Sequence, residues 1–474
     1  MSEVKNSNKN YNVVIIAGVF LLGSFVCFLN STFMNVALSD IMKDLDISVS
    51  TVQWLSTGYM LATGIVIPFT AFLIDKFKNR TLFFIAMGLF TIGTFIGAFA
   101  TNFPMLLSAR LIQGLASGII VPLMQTVFLI IFPIEKRGFA MGIVGIVLAF
   151  APAIGPTLSG WIINRYPWRH LFYVTAPFAI VDLILGFFLL KNVTENKDVS
   201  FDIISFIGST IGFGALLFGF SNAGNYPWSN PNVYLALIIG IIFLIIFVWR
   251  QLSMKEPMLN LSVFKSSTFT FSTIIVMISY AALISSELIL PMYLENVRGS
   301  SAFNTGLILM PGAIVMGIMN PITGKIFDRF GARYLALTGL TILTLGTFGL
   351  SFLTTTTTIT YVIIVYAIRM LGISMLTMPL TTSGLNSLDK RLYAHGNAAN
   401  NTLRQVAGSI GTSIIVTLMS KVSLSSGIKD PLKAQVHGMN ISFASTATLT
   451  LIGLIIAFFV VKKQEPVDKN LLKP

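Results

Sequence analysis

Apolar residues in this chain come in blocks rather than in alternation. Runs of roughly 20 residues, long enough to carry an α-helix across about 30 Å of hydrocarbon, recur from end to end and are parted by short turns rich in Lys, Arg, Asp, Gly and Pro. In lipid a backbone must satisfy its own hydrogen bonds, so these runs predict helices and not open strands. Six spans are expected first, at about 13–38, 51–74, 81–100, 105–131, 139–163 and 171–190. A charged segment, Lys191 to Asp202, leads to two more at about 203–222 and 232–250. After an amphipathic link, Gln251 to Thr268, six further spans run at about 269–293, 303–324, 334–353, 359–386, 396–420 and 440–461. The expected fold is therefore all-α and integral to a membrane, with fourteen transmembrane helices. Residues 11–191 form one six-helix bundle, 192–268 hold two inserted helices and their linkers, and 269–461 form a second six-helix bundle. Residues 1–10 and 462–474 are polar tails.

Composition agrees with the pattern. The 474 residues are 54% hydrophobic and only 10% charged, whereas a soluble domain carries about 25% charged residues. The first run is too long for the roughly 7–15 residue core of a cleavable signal and is kept as a helix. A net charge of +13 raises the question of a nucleic-acid partner, but no Lys/Arg cluster stands apart from the spans to bind one. The cations read instead as topology anchors. With both tails placed in the cytoplasm, roughly 21 Lys and Arg fall on cytoplasmic segments and about 7 on external loops. The stretch after the first span, with Asp40, Asp44 and Asp46 against Lys43, is acidic as an external loop should be; Arg165 and Arg169 run against the rule. Cys27 is the single cysteine and can form no internal disulfide.

The chain repeats itself. Ala71 to Arg80, AFLIDKFKNR, and Gly324 to Arg333, GKIFDRFGAR, each set an acid four residues after a small residue, with a cation next to it and a further Arg beyond. Asp75 and Asp328 are 253 positions apart, and RLIQG at Arg110 and RMLG at Arg369 are offset by 259. Two related six-helix halves with a path between them are the parallel-repeat architecture of secondary transporters.

At these residues a family resemblance becomes visible. NSTFMNVAL (Asn30 to Leu38), QWLSTGYMLATGIVIP (Gln53 to Pro68), the acid turn at Asp75, RLIQG and APAIGPTLSG (Ala151 to Gly160) resemble the major facilitator superfamily. The fourteen-span count points to its drug:proton antiporter branch, and the wording of the first, second and fifth spans is similar to lincomycin-resistance-type multidrug exporters. The resemblance implies a bacterial plasma-membrane protein that exports amphipathic drug-like compounds in exchange for protons. It implies no cofactor beyond the proton gradient, no enzymatic activity and no obligate protein partner. It also maps an antiporter motif onto Gly155, Pro156 and Gly160, and it associates the fourth-span arginine, here Arg110, with proton transfer. Small residues at Ala151, Gly155 and Gly160 equally describe a face for close helix packing.

Candidate roles follow from chemistry. Asp75 with Lys76 and Arg80, and Asp328 with Arg329 and Arg333, are read as two copies of a cytoplasmic gate that closes the inner mouth. A charge near the bilayer centre is costly and by default marks a function. Arg110, Asp182, Glu287, Arg369 and Arg404 stand out on that ground. Glu287, in YAALISSELILPMY, is the expected proton carrier, with Asp182 second; Arg110 stays charged and can only bias a neighbouring carboxyl. Arg404 reads as a helix-start anchor at the cytoplasmic face. Asn30 stands where many relatives carry an acid; an amide cannot titrate, which weakens the case for strongly cationic substrates. Asn30, Asn35, Gln125, Tyr59 and Met124 are candidate pocket residues. His170, His395 and His437 have no metal-ligand spacing and are expected at surfaces, and HExxH, GxSxG and GxxxxGK[ST] are absent. Two other functions stay open: export of an endogenous lipid, peptide or metabolite, and a non-transporting sensor or scaffold.

Overall fold

The computed structural model describes residues 11–460 apart from Asn225, and all regular structure among them is helical. Both expected tails lie outside the described residues. Fourteen helical runs there are long and apolar enough to cross a membrane. The first six are α1 (Val13–Asp44), α2 (Val49–Lys76), α3 (Asn79–Ala98), α4 (Phe103–Ile131), α5 (Ile134–Ile163) and α6 (His170–Leu189). Then come α7 (Ile203–Ala223) and α8 (Pro231–Ser253). The last six are α9 (Ser267–Val297), α10 (Ala302–Phe330), α11 (Ala332–Phe352), α12 (Ile359–Asn386), α13 (Lys390–Ser425) and α14 (Pro431–Val460).

Ends are set by local chemistry more than by hydropathy. Asn12, Asn102, Asp202, Asn230, Ser266 and Ser301 each accept a backbone N–H in the first turn of the helix that follows, as side-chain caps do. Several helices outrun their apolar cores. The acidic stretch expected as a loop is a case in point: Asp40, Lys43 and Asp44 belong to α1, and the chain turns only at Leu45 and Asp46, the latter at φ 49°. Pro68 falls in a 3-10 turn at Ile67–Phe69 within α2, and Pro291 precedes a π-helical turn at Tyr293–Val297 that closes α9.

Helices α1–α6 enclose an apolar core that includes Phe20, Phe83, Phe90, Leu123 and Phe128, and α9–α14 enclose another around Ile275, Leu340, Leu343, Ile373 and Phe443. The bundles meet mainly along α5 and α10. Gly138, Gly142 and Gly145 of α5 lie against Gly324 and Asn320 of α10; a Cβ built on Gly324 would sit 2.2 Å from the Gly138 carbonyl oxygen. Only hydrogen fits there, which is how small residues let two membrane helices touch backbone to backbone.

The inserted pair has a definite seat. Helix α7 bridges the halves: Leu217 covers Gly64 of α2 and Trp54 stacks on Phe218 at 5.7 Å, while the Ser413 hydroxyl of α13 donates to the Phe220 carbonyl. Trp228, in the α7–α8 turn, donates to Thr417 of α13 at 2.9 Å. Helix α8 packs on α7 and turns Ile238, Ile242, Ile245 and Trp249 outward, a surface suited to lipid.

Candidate functional site: a cleft closed at one end

Fourteen helices alternate in direction, so Val13 and Val460 lie at the same end of the molecule, hereafter the terminal end. Among the described residues, the hydrogen bonds that join one bundle directly to the other lie toward this end. The Asp328 carboxylate accepts the backbone N–H groups of Gly138 (2.7 Å) and Phe139 (2.9 Å), where the α-helical part of α5 begins at Arg137 after a 3-10 turn at Ile134–Lys136. Those amides have no partner within their own helix, and the helix dipole favours an anion beside them. Asp75 makes the matching reach from α2 to the start of α13, where His395 Nε2 lies 3.2 Å from its carboxylate. His395 Nδ1 accepts the Asn260 N–H at 3.1 Å, so Nε2 carries the proton and donates to Asp75. Lys197, in the linker before α7, completes the cluster at 2.8 Å from Asp75 and also donates to the Arg391 carbonyl.

The acids of the repeated turn thus act across the bundles, and the expected pairing within each turn is corrected. Arg80 donates to the Phe187 carbonyl, Lys76 reaches Asp198 and the Val199 carbonyl, and Arg329 lies over the Phe330 ring. Neither Arg329 nor Arg333 meets a carboxylate within 4 Å among the described residues. The turn geometry gives the reason: each acid leaves its helix on the face toward the other bundle, away from the cations that follow it. The two copies also turn differently. Gly331 takes φ 76°, open to glycine, whereas Lys78 stays extended at φ −64°. Arg137 strengthens the closure by donating to Asn386 and to the Tyr393 hydroxyl. Deeper in, Asn397 donates to Thr126 and Asn401 to Gln125. An apolar cluster including Ala71, Leu129, Phe269, Leu385 and Ala398 seals the same end.

Above this closure lie two cavities. The first, about 230 Å³, is bounded by α1, α2, α4, α9 and α13 and includes Asn35, Tyr59, Arg110, Ser117, Tyr280, Asn401 and Arg404. Arg110 is buried and packs over the Tyr59 ring at 4.3 Å; its Nη1 donates to Asn30 (2.7 Å) and Gln113 (2.9 Å). Arg404 lies over the Tyr280 ring at 5.1 Å and donates to Asn401. It is therefore a cavity residue well inside α13, and the expected helix-start anchor is corrected. The second cavity, about 200 Å³, is bounded by α1, α5, α9, α10 and α12, and Glu287 is its one acidic residue, exposed to it beside Met310, Met316 and Tyr366. Tyr280 and Glu287 stand on one face of α9, two turns apart.

Other expected residues fall elsewhere. Asp182 is fully buried where α6 meets α1, and neither carboxyl oxygen has a hydrogen-bond partner. A Cβ on Gly23 would lie 2.4 Å from it, so α1 closes over the carboxyl. Met124 accepts from Ser24 inside the first bundle's core and Gln125 bridges to α13; both are wholly buried and line neither cavity. Asn30 stands behind Arg110. Gly155 meets Thr32 of α1 so closely that a Cβ would sit 2.0 Å from its hydroxyl, whereas Gly160 has open space and Pro156 approaches Gly306 of α10. Arg369 is locked in its own bundle, donating to Thr347, Ser286 and the Ala282 carbonyl. Arg169, the exception in the charge count, pairs with Asp44 at 2.8 Å.

His395 and Lys197 were missed as gate residues, and His395, expected at a surface, is buried. A signal for His395 existed: Gly138, whose N–H donates to Asp328, and His395 are 257 positions apart, within the range of the repeat offsets.

Two bundles, a cleft between them and an internal repeat define a membrane transporter rather than an enzyme. Residues 20–412 match the Major Facilitator Superfamily, and the chain belongs to it. It is 49% identical over 462 residues to the uncharacterized MFS-type transporter YcnB of Bacillus subtilis (strain 168), with 98% of each chain covered. It is 42% identical over 470 residues to the lincomycin resistance protein LmrB of the same organism, covering 97% of this chain and 98% of that one. The human organic anion transporter MFSD10 (TETRAN) has the same fold, with a TM-score of 0.67 at 12% identity over 94% of this chain and 99% of that one.

Proposed function

We propose that the chain is a proton-coupled exporter of hydrophobic or amphipathic drug-like compounds, working by alternating access in a bacterial plasma membrane with both termini in the cytoplasm. The similarity to a lincomycin resistance protein supports a drug substrate. The carrying observation is Glu287: a carboxyl inside a membrane helix that opens into the cleft between the bundles while the terminal end is closed. With the terminal end cytoplasmic, this conformer faces outward. Glu287 then takes a proton from outside, and the neutral side chain crosses the change of access at less electrostatic cost than a carboxylate. Opening at the terminal end breaks the Asp75 and Asp328 contacts and lets the proton leave inward. Substrate taken up from the inner side is released when the bundles return to the outward-facing state.

The test is drug-dependent proton flux in proteoliposomes under an imposed pH gradient. The parent protein exchanges protons for an amphipathic drug, and Glu287→Gln still binds the drug but no longer responds to the gradient. A mutant that still couples would remove Glu287 as the carrier; a parent that moves no drug would remove the efflux reading.

A further inference from the structure

The first cavity has an unusual charge inventory. It is lined by two guanidinium groups, Arg110 and Arg404, and by no aspartate or glutamate. Neither arginine meets a carboxylate within 4 Å among the described residues. Their protein partners are neutral: amide oxygens of Asn30, Gln113 and Asn401, and the Leu55 carbonyl. A cation held in a membrane protein without a counter-charge is expensive, and such groups are kept where a ligand or a pathway needs them.

A purely structural role would look different, and the repeat supplies the comparison. Arg369, the counterpart of Arg110, directs Nε, Nη1 and Nη2 to its own bundle and lines neither cavity. Arg110 is as deeply buried and also donates Nε and Nη1 to its own bundle, but it stands in the cavity wall, across from Arg404 of the other bundle. Tyr59 and Tyr280 hold the two guanidinium groups by cation–π contact, which leaves Arg110 Nη2 and the N–H groups of Arg404 not given to Asn401 for an acceptor. The wall behind Arg110 is also short of acceptors. Asn30 gives its Oδ1 to the arginine, while its buried Nδ2 finds no acceptor.

We propose that this cavity holds its substrate by a carboxylate placed between Arg110 and Arg404, with the apolar body of the molecule lying against Phe28, Met60 and Val121. The exported compounds are then amphipathic organic anions rather than cations. The proposal rests on the export reading and narrows its substrate class. It also separates the two charges the protein handles, because the carboxyl assigned to the proton opens into the other cavity.

The experiment is calorimetric titration of the full chain in nanodiscs with three ligands sharing one ring system: naphthylacetate, its methyl ester and naphthylmethyl-trimethylammonium. The anion is expected to bind roughly tenfold tighter than the ester, the change one charge-assisted hydrogen bond supplies, and the cation weakest. In Arg404→Gln the anion falls to the level of the ester while the ester changes by less than about twofold, and Arg404→Lys recovers part of the preference. Retained ester binding shows that the variant is folded. Ester or cation binding as tightly as the anion, an undiminished preference in both Arg404→Gln and Arg110→Gln, or no binding of any of the three overturns the proposal. Proton flux reports on the export reading separately. Anion preference without exchange would remove antiport and keep this site, whereas exchange of cations with anions excluded would do the reverse.

Discussion

Asp182 and Glu287 are both carboxyls inside membrane helices, and their surroundings divide their work. Glu287 opens to a cavity between the bundles, whereas Asp182 is buried against Gly23 and lines neither cavity. Asp182→Asn keeps nearly the same shape and removes only the ability to ionise. It is therefore expected to leave drug-dependent proton flux within about twofold of the parent, and to shift the unfolding midpoint by the equivalent of about 1 kcal/mol or less. Flux lost in Asp182→Asn and kept in Glu287→Gln would exchange the two assignments. Both carboxyls were legible in the sequence because an acid within an apolar run is conspicuous. Their difference was not, since it depends on which face of α6 or α9 meets α1 or the cleft. Arg404 was misjudged for the same reason: the helix starts at Lys390, so a residue placed near the predicted start of a span sits well within α13.

At the scale of the helix, two contacts carry testable weight. Gly324 and Gly138 let α5 and α10 touch, and Gly324→Ala would place a methyl 2.2 Å from a carbonyl oxygen. Backbone on both sides cannot move aside as a flexible side chain would, so the variant is expected to lose the closed terminal end. Labelling of a cysteine placed at Asn320, buried in the parent, should rise several-fold, as for a population shift of about 1–2 kcal/mol. The second contact ties the inserted pair together. Hydrogen bonds from Arg250 (2.9 and 3.2 Å), with others from the Ser205 hydroxyl and N–H, pull the Asp202 carboxyl down to about 2. Its folded value lies below the unfolded one of about 3.9, so the stabilisation is full above roughly pH 4 and is lost as pH falls through about 2. Hydrogen exchange at the first turn of α7 should accordingly be faster in Asp202→Asn than in the parent at neutral pH, and the difference should narrow below about pH 4 and close only below about pH 2. The fourteen spans could be read from hydropathy alone. The bridging seat of α7 could not, because a helix that is apolar all round does not say which neighbours it will choose.

For the whole molecule, the repeat predicts how closure is shared. Asp328 holds the start of α5 and Asp75 holds the start of α13, so each bundle lends one acid to the first turn of a helix in the other. The two contacts are equivalent by the repeat but not by chemistry: one is an anion on bare backbone amides, the other an anion on a histidine side chain backed by Lys197. Asp328→Asn removes a charge from a helix N-terminus, worth about 1 kcal/mol, and should shift the equilibrium between closed and open terminal ends about fivefold. Asp75→Asn leaves Lys197 facing no acid at that site, so its shift should be the larger. Spin labels on cysteines replacing Lys136 and Lys390, exposed on opposite sides of the closure, would report the separation by pulsed dipolar spectroscopy; native Cys27 is buried. A longer-distance population that grows in each single variant, and more in the double variant than in either, places the lock in both acids. Distances unchanged in the double variant would mean that the glycine face of α5 against α10 holds the end shut by packing alone, with the acids only orienting the helix starts.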